Sequence, residues 1–405
     1  MGSGNILENR KLWRLGMKAL RTMPVVRLGK TVLITRHVGV VDVLARPEDF
    51  SVVEIYARKM QRTSGAFFLG MDDTEQYRRE QSITAKAIKR EDMPRIRTLT
   101  RTFAEAAIEP FRSVGKIDVV QQVSRLVPTR LCEEFFGVPG PDRVSLMKWM
   151  RYIFHHLFLN ITDDETVAQR AEGLAKELNA YLDKLIAERH RELAAGRSPG
   201  DDFLTRLLRL QNDPATRLED EGIRRNVSGV ILGSIDTISK SVIFALEELL
   251  ERPDQFAAAV KAAIADDIDT ISAYAFEALR FNPHNPLIVR FAPRDTVVAC
   301  GDGKFKSVKA GSKVYALTYS AMFDPKRHSK PDDFRADRAD RVHLQLGSGM
   351  HRCFGEHLGK IEIPEILAAI LRLPGLRRAS GSEGKTLADG PFPDRLLMEF
   401  EPRAK

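Results

Sequence analysis

The stretch Leu346-Gly347-Ser348-Gly349-Met350-His351-Arg352-Cys353-Phe354-Gly355 decides the fold. It is a glycine-rich loop that delivers one cysteine to the start of a helix. The run from Glu356 to Leu373 supplies that helix, with Leu358, Ile361, Ile366, Ala369 and Ile370 at roughly helical spacing. Gly347 and Gly349 permit backbone angles that a Cβ resists. Cys353 is therefore expected at the positive end of a helix dipole, where backbone N–H groups lack intrahelical acceptors. That setting favours a thiolate over a thiol. Gly355 leaves no side chain two residues on, so a large flat group has room against the backbone.

A thiolate facing a flat ligand is what a haem with cysteine ligation requires. Two other readings stand beside this one. A lone cysteine at a helix start is commonly a small core residue. A zinc site built from His351, Cys353 and His357 lacks any CxxC or second ligand pair elsewhere in the chain.

The loop resembles the haem-binding loop of the cytochrome P450 family, Phe-Gly-x-Gly-x-His-x-Cys-x-Gly. Every fixed position matches except the first, where Leu346 replaces phenylalanine. The resemblance implies Cys353 as the axial ligand of the haem iron. It places His351 near a propionate, and Leu346, Gly347 and Gly355 against the cofactor. Leu346 removes a ring that packs near the thiolate in the family, which bears on the reduction potential.

Outward from the loop, Leu218 to Arg252 carries a helical pattern of more than thirty residues, long for a globular protein. Near its centre lies Gly233-Ser234-Ile235-Asp236-Thr237. An acid and an alcohol in an apolar helix are poor for helix stability and costly if buried alone. One reading is local: Thr237 bonds back to its helix and Asp236 meets a base. The other rests on the resemblance to the family's (Ala/Gly)-Gly-x-(Asp/Glu)-Thr signature. There the helix kinks over the haem and the acid–alcohol pair delivers protons to dioxygen. This implies catalytic roles for Asp236 and Thr237, and a close approach of the cofactor at Gly233. Ser234 stands where glycine is usual.

Glu277-Ala278-Leu279-Arg280 sets an acid and a base on one helix face and matches the family's Glu-x-x-Arg. The resemblance implies a structural triad of Glu277, Arg280 and Arg338. Arg290 follows ten residues after Arg280, and a guanidinium suits bidentate carboxylate binding. The family uses this arginine on a haem propionate. Leu287, Ile288 and Val289 would line the substrate pocket beside it, with Ile235 and Phe158. Phe67 and Phe68 fall in the family's mobile loop over that pocket; plain core packing is the other reading of these two rings. The family's His-x-x-x-Arg propionate grip is not reproduced: Gln76 and, four residues on, Glu80 stand there. Gln76, Arg78 and Arg79 are the candidates to replace it, with a solvated charged face as the alternative.

Earlier segments read as a basic amphipathic helix over Ile6 to Thr22 and two strands over Val25 to Thr35 with a turn at Gly29-Lys30. A short helix is expected around Val40 to Leu44. From Pro94 to Ala195 the chain reads as mostly helix, broken at Gly115 and at Gly137 to Pro141, with a long helix from Glu165 to Leu193. The expected class is mainly α with a small β-rich subdomain, the cytochrome P450 fold. Residues 1–24 form an N-terminal extension and 25–405 a single catalytic domain.

Composition bounds the partners. Of 405 residues, 43% are hydrophobic and 29% charged, the balance of a soluble globular protein. Three cysteines imply no disulfide framework and suit a reducing cytosol, so a cytoplasmic location is expected. No apolar run reaches membrane-spanning length. The net charge of +8 invites an acidic partner, but the basic residues are dispersed and show no nucleic-acid module.

The resemblance implies a haem-thiolate monooxygenase carrying haem b between the Gly233–Thr237 helix and the Cys353 helix. It would activate dioxygen to hydroxylate or epoxidise an apolar small molecule. With no flavin or iron–sulfur module in the chain, electrons from NAD(P)H would arrive through a ferredoxin and ferredoxin reductase, or a flavodoxin. Two alternatives stay open: a peroxygenase- or isomerase-type haem-thiolate enzyme, and a haem-binding sensor without turnover.

Overall fold

Val25–Leu28 and Thr31–Ile34 form an antiparallel hairpin across Gly29-Lys30. Gly29 has φ +60°, the conformation that the first position of a tight hairpin turn asks of glycine. The hairpin is one edge of a four-stranded sheet in the order Val25–Leu28, Thr31–Ile34, Ser312–Ala316, Ile288–Ala292. The Thr31–Ile34 pairing with Ser312–Ala316 is parallel and the other two are antiparallel. A separate hairpin joins Thr296–Gly301 to Lys304–Val308.

This computed structural model describes residues 10–197, 199–338 and 343–403. The chain separates into two compact units. The first comprises residues 1–55 and 283–353 and holds the sheet; the second comprises residues 56–282 and 354–405. The boundary expected at residue 24 falls inside the first unit. The basic N-terminal helix is seen as Arg10–Leu20; residues 6–9 of the expected span lie outside the described residues. The short helix runs His37–Ala45.

The second unit is mainly helical, and the described residues are 57% helix, which fixes the class as mainly α. Its helix starts are set by side chains that accept otherwise orphaned N–H groups. Thr74 accepts from Tyr77 N at the head of Glu75–Ala87, Asp164 from Thr166 N and Val167 N at Glu165–Ala194, and Asp202 from Thr205 N at Phe203–Gln211. Each such cap is worth about 1 kcal/mol. The Phe135, Phe136 and Phe203 rings, in edge contact at 5.3 and 5.7 Å, lie in one apolar core with Trp149, Leu178 and Ile231.

Two irregularities exceed what periodicity indicates. The break at Gly115 leads into a strand, Lys116–Asp118, paired with Leu397–Glu399, and then a π turn over Val120–Ser124. The aromatic run up to Leu159 is a helix, Arg143–Phe154, continued by a π turn over His155–Leu159. Contrary to the expectation that no apolar run reaches membrane-spanning length, Asp220–Leu250 meets the length and hydropathy of a span, yet 78% of its most apolar window is buried, as in the core helix of a globular unit.

Candidate functional site

In the first unit the cysteine loop is built from two single turns of 3₁₀ helix, Leu344–Leu346 and Gly349–His351. Gly347 has φ +75° and Gly349 φ +70°. A Cβ on Gly349 would lie 2.3 Å from the Leu44 carbonyl oxygen, so only glycine fits. The Cys353 N–H donates to Leu346 O at 2.7 Å, closing the loop. The thiol is exposed, while His351 and Leu346 are half-buried. Helix Glu356–Leu371 starts three residues beyond Cys353 with Gly355 as its cap, so the cysteine precedes the first turn rather than lying in it. Arg290, on strand Ile288–Ala292, is buried and donates to the Val289 carbonyl at 2.9 Å. Leu287 and Ile288 are half-buried and Val289 is buried. Arg338 is buried and donates to the carbonyls of Ser329, Lys330 and Asp333.

In the second unit the long helix is two helices, Asp220–Leu232 and Ile235–Leu250, meeting at Gly233-Ser234. At the junction the bonds tighten: Gly233 N donates to Val230 O and Ser234 N to Ile231 O, each three residues back. The Thr237 hydroxyl donates to Gly233 O at 2.5 Å, bridging the break. Gly233 is exposed amid buried neighbours, and a Cβ there would meet nothing nearer than Val230 O at 3.5 Å. The Ser234 hydroxyl donates to Ile231 O and lies 3.2 Å from Cys132 Sγ. Ile235 is fully buried in the apolar core.

Asp236 carries the most consequential contacts. Its Oδ1 accepts from Arg151 Nε at 3.1 Å and lies 3.3 Å from Arg125 Nε, all three side chains being buried. Oδ2 has no partner among the described residues. Burial pushes the carboxyl above the usual aspartate range, against the pull of Arg125 and Arg151. Arg151 also binds Asp394 at 2.8 Å and Asp389 at 3.3 Å, both half-exposed. One turn beyond Asp236, the buried Lys240 ammonium lies 5.3 Å from the Phe244 ring and 5.8 Å from Phe392, and desolvation lowers its pKa to about 8. Neither Arg125, Arg151 nor Lys240 was legible as a site residue in the sequence; a buried aspartate's need for a counter-charge was the only signal.

The expected propionate residues of the second unit are otherwise engaged. Gln76 donates to Glu80 at 2.8 Å, Arg78 to Asp73 at 2.7 Å, and Arg79 lies 3.8 Å from Glu75. Glu80 is buried and also accepts from Arg225 at 3.0 Å and Asn226 at 2.7 Å. It thus ties helix Glu75–Ala87 to helix Asp220–Leu232, at the place where the resembling family has a cation. Arg280 forms two bonds to Glu277, at 2.9 and 2.7 Å, both residues being buried.

Phe67 and Phe68, for which the sequence leaves a pocket loop and core packing both open, pack closely against their neighbours. Both are fully buried; a Cβ on Gly229 would strike the Phe67 ring, and Phe68 meets Phe354 edge-on at 5.1 Å. Phe158 is half-buried in the π turn, 5.4 Å from Tyr56 and 4.9 Å from Phe154.

A further acid was missed. Glu362 is fully buried on helix Glu356–Leu371, and its Oε2 has no partner among the described residues. Burial raises its carboxyl from 4.5 to about 8. The folded state therefore keeps a proton that the unfolded chain releases, and stability falls as pH rises from 4.5 to about 8. Glu362→Gln removes this slope. Urea unfolding at about pH 5 and about pH 8 is expected to show wild type losing more stability than the variant; equal losses would mean that Glu362 is not protonated in the fold.

Each unit by itself offers what haem needs from it. The first has an exposed soft donor on a glycine-closed loop, with a buried arginine and a half-buried histidine on the same unit. The second has a side-chain-free opening at Gly233. Among the described residues no three His, Cys, Asp or Glu side chains are grouped to hold a metal ion.

Comparison with known proteins agrees with this chemistry. Residues 28–373 match the family described as Cytochrome P450. The chain is 25% identical over 362 residues to the steroid C26-monooxygenase of Mycolicibacterium smegmatis, covering 89% of this chain and 83% of that protein. It is 25% identical over 313 residues to the mycinamicin IV hydroxylase/epoxidase of Micromonospora griseorubida, covering 76% and 72%. Among solved structures, Bacillus megaterium CYP109E1 in complex with testosterone superposes with a TM-score of 0.80 at 21% identity, over 97% of this chain and 99% of that one.

Proposed function

We propose a division of labour among these residues from one premise: the chain belongs to the cytochrome P450 family. It is a haem monooxygenase that hydroxylates or epoxidises a lipophilic small molecule with electrons from separate redox proteins. When bound, haem supplies dioxygen binding and O–O cleavage, which a thiolate ligand favours. The observation that carries the reading is the exposed Cys353 thiol on its glycine-closed loop.

Cys353 would hold the haem iron as thiolate. Arg290 and His351 hold propionates as charge-assisted donors. Leu346 and Gly347 in the first unit, and Gly355 and Gly233 in the second, would leave room for the cofactor. Thr237 presents its hydroxyl at the helix break and holds a proton there. Asp236, next in the chain, restores that proton. Arg151 keeps Asp236 oriented and links it to the half-exposed Asp389 and Asp394, the path from solvent. Glu277 and Arg280 form a brace within the second unit. Leu287, Ile288, Val289 and Phe158 border an apolar substrate. On helix Glu75–Ala87 Gln76 and Arg78 are committed elsewhere and Glu80 would repel a propionate, which leaves Arg79 as the helix's candidate for the second one.

Electrons come from NAD(P)H through a ferredoxin and its reductase, and the location is cytoplasmic. The steroid and macrolide names of the relatives make a polycyclic or macrocyclic lipid the first substrates to screen. The test is product formation with a surrogate ferredoxin system under heavy-isotope dioxygen. One heavy oxygen atom in the product is expected. Product only with peroxide, or an isomerised product without oxygen, would overturn the reading.

A further inference from the structure

The first unit has a surface feature that the monooxygenase chemistry does not use. A groove of about 450 Å³ is lined by Pro24, Arg36, Cys300, Lys304, Phe305 and Lys306. It lies along the hairpin Thr296–Gly301/Lys304–Val308, whose turn residues Asp302 and Gly303 both have positive φ, +55° and +70°. A two-residue Asp-Gly turn of this kind is a stiff hairpin tip, so the Lys304-Phe305-Lys306 that follows it is held out rather than loosely placed.

Phe305 is 63% exposed, and it is the only ring among the exposed large hydrophobic side chains of the described residues. Ala299 pairs with Phe305 and Val297 with Ser307, which puts exposed Val297 on the same hairpin face as the ring. The apolar surface continues beyond the hairpin. Arg27 donates to Ser307, bringing the neighbouring exposed Leu28 alongside, and Gly301 abuts the exposed Val38. Isolated exposed apolar side chains need no explanation, but an exposed ring at a groove with further exposed apolar side chains on its hairpin and the adjoining segments marks an interaction surface.

Charge decides what it meets. Lys326 pairs with Asp302 and Arg36 with Asp324, whereas Lys304 and Lys306 make no ion pair with any described residue. The rim is therefore apolar and net positive. We propose that this groove and hairpin dock the protein on an anionic phospholipid surface. Phe305 with Val297 enters the headgroup–acyl boundary, while Lys304 and Lys306, which alternate to the other face of the same exposed strand, reach headgroup phosphates beside it. One ring and a few cations give reversible, salt-sensitive attachment rather than insertion. An enzyme handling lipophilic compounds gains a local supply from such docking.

The test is flotation of the purified full-length protein with vesicles of phosphatidylcholine alone, or of phosphatidylcholine containing phosphatidylglycerol. Binding is expected only with phosphatidylglycerol, and it should fall at high salt. Lys304→Glu/Lys306→Glu is expected to weaken it by at least roughly five-fold per lysine. Phe305→Ser is expected to weaken it as well, with thermal melting unchanged because all three side chains are exposed. Four outcomes would overturn the proposal. These are no binding to phosphatidylglycerol vesicles, equal binding to both vesicle types, variants that bind like wild type, and a hairpin-dependent complex with an acidic ferredoxin in place of lipid. Undiminished binding by the variants would transfer the attachment to the basic Arg10–Leu20 helix, which they leave intact.

Discussion

Asp236→Asn is expected to slow dioxygen-driven turnover about a hundred-fold, the scale of a lost proton-transfer group. The amide keeps the shape of the side chain and an acceptor for Arg151, but it cannot carry a proton. Peroxide-driven turnover of the same compound brings its own protons and electrons, so it is expected to fall by no more than about three-fold, well short of a proton-transfer loss. The comparison is made on any compound that shifts the haem spin state, with surrogate ferredoxin and reductase in one arm and peroxide in the other. Equal losses in both arms would assign Asp236 to architecture. No loss in either would remove it from the mechanism.

Arg151→Met is expected to be the most destabilising single change near the site, at about 3 kcal/mol. Asp236 is fully enclosed, and Arg151 is its only hydrogen-bonded cation among the described residues; Arg125 lies 3.3 Å away without a bond of good geometry. Removing Arg151 strands a buried carboxylate and releases Asp389 and Asp394. Urea unfolding of Arg151→Met, Asp236→Asn and the double variant separates the contributions. The double variant is expected to be more stable than Arg151→Met alone, since the stranded charge is gone. Additive losses would show that the two residues do not act as a pair.

These expectations rest on contacts that the sequence does not display. Asp236 and Thr237 stand out in the chain because polar residues interrupt an apolar helix. Their role depends on Arg151, which is 85 positions earlier and reads as one basic residue in an aromatic helix. Local features were legible where local physics sets them. The Val25–Ile34 hairpin follows from alternation around Gly29, the Glu165–Ala194 helix from its periodicity and its Asp164 cap, and the cysteine loop from its glycines.

Periodicity misleads where side-chain bonds override it. Leu218 to Arg252 reads as one helix, yet Gly233 and Ser234 divide it, with hydroxyls at Ser234 and Thr237 taking up carbonyls at the break. Likewise Phe67 and Phe68 look suited to a ligand pocket, but Gly229 leaves a hollow in its helix that the Phe67 ring fills. Glu80 shows the opposite case: the sequence displays the departure from the family pattern, and only the structure shows that the acid has become a clamp between helices.

The most direct test of the account is the carbon monoxide difference spectrum of the reduced protein, recorded for wild type and Cys353→Ala. A far-red Soret band in wild type that disappears in the variant is the predicted result, and it would establish haem held by the Cys353 thiolate. A wild-type band at the position of histidine-ligated haem, an unchanged band in Cys353→Ala, or no haem at all would contradict it.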